Sequence, residues 1–125
     1  MITVFYDGKC GLCSKEIRHY KQIAPDGVFD WVDITVSPHS LNKEGVSLST
    51  GLKLLHAKDD NEVIHVGVDA FILIWKQLQN WQILATFVSI PIIWQIAYFI
   101  YNKFANWRFK RLRHCQLAAN KENKL

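Results

Sequence analysis

The chain has 125 residues, half of them apolar and 13% aromatic, enough for one hydrophobic core and too apolar for an intrinsically disordered segment. Three cysteines are too few for a disulfide scaffold, and a close pair with one distant Cys115 fits a cytosolic redox or metal motif. The net charge of +4 is uneven: residues 1–102 carry 8 Lys/Arg against 10 Asp/Glu, whereas residues 103–125 carry 7 against Glu122 alone. Attraction to phosphate or lipid headgroups is therefore confined to the C-terminal end, where a solvated helix end is the plainer reading.

Taken in chain order, residues 2–6 are β-branched and aromatic and predict a strand. No basic segment followed by a long apolar core opens the chain, so a cytoplasmic location is expected. From Gly11 to about Ile23, the spacing of Leu12, Ile17, Tyr20 and Ile23 predicts a helix, ended by Pro25-Asp26-Gly27. Residues 28–34 alternate and predict a second strand. Residues 35–50 are rich in Ser, Asn, Pro and Gly and predict a loop with at most one short helix. The apolar runs 52–57 and 63–66, joined by Lys58-Asp59-Asp60-Asn61-Glu62, predict an antiparallel hairpin. Gly67 breaks it. A helix capped by Asp69 or a neighbour then runs to about Gln79, with Phe71, Ile74, Trp75 and Leu78 on its apolar face.

Between Lys76 and Lys103 lie 26 residues without a charge, long enough to span a bilayer and followed by cations. Polar residues interrupt the stretch and Pro91 divides it, so two helices meeting near Pro91 and packing on the sheet are expected, with Pro91 in a first turn. An interfacial helix is the second reading. The expected organisation is a single domain over 1–125, with an α/β core at 1–79, a helical extension at 80–119 and a disordered tail at 120–125.

The chemistry is concentrated in Asp7-Gly8-Lys9-Cys10-Gly11-Leu12-Cys13, where a strand hands over to a helix. Free N–H groups and the dipole at a helix start stabilise a thiolate, which suits Cys10 as the attacking sulfur and Cys13, one turn on and expected to be less exposed, as the resolving one. Gly8 and Gly11 allow a tight turn that leaves Cys10 accessible, and Lys9 can add positive potential. Asp7 has three candidate roles: base for Cys13, helix cap, or turn holder. A Cys-x-x-Cys pair is also half of many zinc sites and suits Cu(I). The five histidines are scattered and no second pair exists, which argues against zinc. A helical, aromatic sequence after Leu78 and the absence of methionine beyond Met1 argue against a copper chaperone. His19 reads as a surface residue and Cys115 as an incidental thiol.

Tyr6-Asp7-Gly8-Lys9-Cys10-Gly11-Leu12-Cys13 resembles the signature of the DCC family, named for Asp-x-x-Cys-x-x-Cys. His56-Ala57 with the acidic turn, Val66-Gly67-Val68-Asp69-Ala70-Phe71, Trp75, Pro91 and Tyr101 followed by cations are similar to its later blocks, so the resemblance extends from Ile2 to about Arg113. It implies a thioredoxin-like α/β fold, a mixed sheet of about four strands with flanking helices and a helical C-terminal extension. It also implies thiol-disulfide exchange with Cys10 attacking, Cys13 resolving and Asp7 as the signature acid. Gly8, Lys9, Gly11 and Leu12 would then meet the substrate. No proline stands between Leu41 and Leu52, where thioredoxins carry a cis-proline before the third strand, so substrate docking is expected to differ. The expected partners are protein or small-molecule thiols and disulfides, with no nucleic acid, no organic cofactor and no metal. Residues 81–113 offer a peripheral membrane contact. Two other functions use the same residues: a soft-metal (Cu/Zn) module on the Cys pair, and a membrane-surface adaptor with a vestigial redox motif.

Overall fold

A two-residue side-chain period sends neighbours in a strand to opposite faces, and strand β1 (Ile2–Tyr6) uses both. Val4 joins a buried cluster with Ile2, Ile17, Tyr20, Ala57, Ala70 and Ile74 on one side. Phe5 joins Ile34, Leu41, Leu52 and Cys115 on the other. A strand covered on both faces belongs in the middle of a layered α/β domain. The computed structural model describes residues 1–123, except for the side chains of Leu12 and of residues 121–123.

Helix α1 (Gly11–Ile23) carries the chain from β1 to β2 (Phe29–Asp33), which lies parallel to β1 in the register Ile2↔Phe29 to Tyr6↔Asp33. Two short helices follow, α2 (His39–Asn42) and α3 (Leu48–Lys53). The hairpin of β3 (His56–Lys58) and β4 (Ile64–Val66) then pairs antiparallel with β1 through Phe5↔His56. The sheet order is β2-β1-β3-β4, a four-stranded mixed sheet of thioredoxin-like form. Helix α4 (Val68–Lys76) packs on the first face, and after a 3-10 turn at Gln79–Trp81 come α5 (Gln82–Val88), α6 (Pro91–Arg111) and α7 (Arg113–Asn123).

Several sequence expectations are corrected. Leu52 and Lys53 are helical, not strand, because Ser47 caps α3 by accepting the Thr50 N–H. The segment expected to be a loop thus holds α2 and the start of α3. Helix α4 ends at Lys76, three residues early, yet Leu78 remains fully buried. Its N-cap is Gly67 at φ +65°, without a side-chain cap bond, a conformation glycine adopts at little cost. Asp69 instead accepts the Trp94 indole N–H at 2.8 Å and pins α6 to α4. The tail expected at 120–125 is helical as far as Asn123, and Lys124 and Leu125 lie outside the described residues.

Two helices meet at Pro91 as expected, but they pack chiefly on α3 and α4 rather than on the sheet. Pro91 opens α6, where its missing N–H costs nothing, and the pair 79–88 and 91–111 is bent by 98°. Tyr101 on α6 accepts the Leu55 N–H at 3.0 Å, and Gly67 leaves room for its ring, since a Cβ there would lie 3.2 Å from Cε1. These contacts lay α6 across the C-terminal end of β1, so its last turns and the start of α7 reach the loop that carries the cysteines.

Candidate active site

The loop between β1 and α1 is built around two carboxylates. Asp33, at the end of β2, accepts the Gly8 N–H at 3.1 Å and the Thr35 hydroxyl at 2.6 Å. A Cβ on Gly8 would lie 1.8 Å from Asp33 Oδ2, so the close approach requires glycine. The Gly8 carbonyl accepts the Ser14 hydroxyl at 2.8 Å, tying the loop to the first turn of α1. Asp7 turns inward, is 3% exposed, and accepts the Lys9 N–H at 3.0 Å.

Cys10 is the N-cap of α1, its sulfur accepting the Cys13 N–H at 3.4 Å. The cap role that Asp7 could have taken belongs to the sulfur itself. Accessibility is the reverse of the sequence expectation: Cys10 is 3% exposed, whereas Cys13 is half-buried and lines a cavity. Cys13 lines that cavity together with Arg108 of α6, whereas Cys10 turns into the protein. Burial, together with donation of its proton toward Cys10, pushes the Cys13 thiol up to about 12.

Arg108 is itself buried and held at three points. It donates to the Leu52 carbonyl at 2.5 Å, the Lys53 carbonyl at 2.9 Å and Asp7 Oδ2 at 3.4 Å. Burial works against its charge, but Cys13 and Cys10 outweigh that and hold the guanidinium above its ordinary range. His114 Nε2 lies 3.0 and 2.8 Å from the two Asp7 oxygens. Cys115, fully buried, lies with its sulfur 3.8 Å from Asp7 Oδ2 and 3.6 Å from His114 Nε2. Burial and the Asp7 charge push its thiol up to about 12. The thiol read as incidental is thus part of the site, and one of the cations read as solvated is its buried counter-charge.

Of the other expected site residues, Lys9 and Gly11 are exposed at the rim, and the Leu12 side chain lies outside those described. His19 is exposed, as expected. Sequence reasoning missed Arg108 and His114, which lie 101 and 107 residues from Asp7, beyond any local spacing rule. The only signal was an arginine inside a helix otherwise dominated by apolar and aromatic residues. Beside Cys13 a cavity of about 60 Å³ is lined by Asp7, Leu52, Tyr101, Phe104 and Arg108. An apolar groove of about 470 Å³ between α4 and α6 adjoins it, with Glu16, Phe71, Tyr101 and Phe104 common to both.

Two thiols at a helix start, a buried cation facing them and a buried acid behind them can support reversible sulfur exchange. Neither a curated protein nor a solved structure matches the chain. A family model does, over residues 4–114, and it spans the heptapeptide and the helix that carries Arg108. The chain belongs to the DCC1-like thiol-disulfide oxidoreductase family.

Proposed function

We propose that the protein exchanges disulfides with protein or small-molecule thiols, using Cys10 as nucleophile, Cys13 as resolving thiol and Asp7 as acceptor of the Cys13 proton. The observation that carries this reading is the asymmetry of the pair. The Cys10 sulfur accepts the Cys13 N–H at the start of α1, while burial holds Cys13 as the protonated thiol beside the buried Arg108.

The exchange proceeds in two displacements. The Cys10 thiolate attacks one sulfur of the substrate disulfide, forming the mixed disulfide and expelling the other sulfur as a thiolate. Cys13 then gives its proton to the Asp7–His114 couple and attacks Cys10, releasing the second substrate thiol. Two electrons pass to the substrate and Cys10–Cys13 becomes the disulfide; the reverse sequence oxidises a dithiol. His114 is 21% exposed and contacts the buried Asp7, so it links that carboxylate to bulk water. Because Cys10 is covered, substrate reaches it by way of the Cys13 cavity and the apolar groove, or after α6 and α7 shift.

Trapping tests the assignment. With a small disulfide substrate, Cys13→Ser is expected to accumulate a stable adduct on Cys10, and Cys10→Ser to lose exchange to background. An adduct on Cys13 in the Cys10→Ser variant would transfer the nucleophile role to Cys13 and overturn it.

A second reading concerns where the enzyme works. Among the described residues no single helix is long and apolar enough to cross a membrane. Helices α5 and α6 nevertheless expose Ile83, Phe87, Ile92, Ile96, Phe99 and Ile100, each by more than half, and cations from Lys103 onward follow. That combination favours peripheral contact with an anionic bilayer. Sedimentation with phosphatidylserine vesicles that weakens with salt is the expected result, and no sedimentation at low salt would remove this reading.

A further inference from the structure

Asp7, His114 and Cys115 present one oxygen, one nitrogen and one sulfur to a common point, all within 4.8 Å of one another. The separations are 2.8 Å between Asp7 Oδ2 and His114 Nε2, 3.6 Å between His114 Nε2 and Cys115 Sγ, and 3.8 Å between Cys115 Sγ and Asp7 Oδ2. A tetrahedral zinc ion bound to a carboxylate, an imidazole and a thiolate sets the corresponding edges at roughly 3.3–3.6 Å. Shifts of about half an ångström or less convert the triangle into one face of such a site. We infer that these three residues form a zinc site separate from the Cys10–Cys13 pair, one that fastens helix α7 to the β1–α1 loop.

The donor set selects the ion. Zinc accepts oxygen, nitrogen and sulfur together, whereas magnesium and calcium call for oxygen, and Cu(I) favours soft sulfur donors. The carboxylate and the Cys115 thiolate balance the two positive charges, His114 binds neutral, and the thiol proton leaves on binding. Three protein ligands leave a fourth position for water. The carboxylate is already oriented, since Asp7 Oδ1 accepts the Lys9 N–H, as outer contacts of metal ligands commonly provide. Arg108 does not depend on Asp7. Its bonds to the Leu52 and Lys53 carbonyls are 2.5 and 2.9 Å, against 3.4 Å to the carboxylate. Asp7 can therefore turn to a metal while the guanidinium stays in place. Zinc on Asp7 would occupy the acceptor of the Cys13 proton, so the ion would also slow sulfur exchange.

The test uses the full chain carrying Cys10→Ser and Cys13→Ser, which removes the competing thiol pair. Zinc chloride is titrated against a chromophoric chelator, and cobalt chloride reports sulfur ligation through its thiolate charge-transfer band. One equivalent of zinc with a cobalt–thiolate band is expected, with binding weakened on the order of a hundredfold or more by His114→Ala or by Cys115→Ala. Circular dichroism checks that each variant is folded, and His114, at 21% exposure, is the safer substitution if Cys115→Ala is not. No zinc bound by the double-serine chain, or binding unchanged by His114→Ala, would overturn the site. Because that chain lacks both exchange thiols, its failure would leave the redox reading intact.

Discussion

The loop at residues 7–13 and the helical segment at residues 108–115 build the same site from opposite ends of the chain. The first places its chemistry by local rules: a strand ends, a glycine turns, and a helix begins on a cysteine whose sulfur caps it. The second has no local order that marks function. Its Arg108, His114 and Cys115 matter because the 98° bend before α6 and the short link to α7 bring them over the loop. The heptapeptide supplies the sulfur pair, and the C-terminal segment supplies the buried cation beside it and the company Asp7 keeps.

The sharpest break of this comparison is within the basic segment itself. Arg108→Ala leaves two backbone carbonyls and a buried carboxylate short of a donor, and is expected to cost about 3–5 kcal/mol in urea unfolding. Lys110→Ala, two residues away and exposed, should stay within about 0.5 kcal/mol. Equal effects would mean that Arg108 is as solvated as its neighbours and that the loop stands without it.

A smaller contrast lies inside the loop. Gly8→Ala drives a Cβ into the Asp33 carboxylate and should destabilise by roughly 1–3 kcal/mol. Gly11→Ala meets nothing within 4 Å at the start of α1 and should instead gain about 0.4–1 kcal/mol. Thermal unfolding of the two variants side by side reads the difference. A neutral Gly8→Ala would show that the Asp33 side chain can leave without loss, and that Gly8 is not what shapes the turn.

The elements were largely legible. Strand β1, helix α1, strand β2, the β3–β4 hairpin and the break at Pro91 all follow from periodicity and turn residues, because those signals act over a few positions. The errors fell where packing overrode pattern. Leu52 and Lys53 read as strand from an apolar run, but Ser47 caps a helix through them and Gly51 sits against Leu41. In the candidate site, the closeness of Asp7, Cys10 and Cys13 followed from their spacing, whereas the order of exposure of the two cysteines did not.

That inversion marks the division between sequence and tertiary structure. Sequence alone determined that two sulfurs stand one helical turn apart at a helix start behind an acid, since a strand-to-helix junction is a local event. Only the tertiary structure decided that Cys10 is buried, that Cys13 faces the cavity, and that Asp7 meets Arg108, His114 and Cys115 across more than a hundred residues. Burial and long-range charge pairing depend on which surfaces the helices bury against the sheet, and no spacing in the chain encodes them.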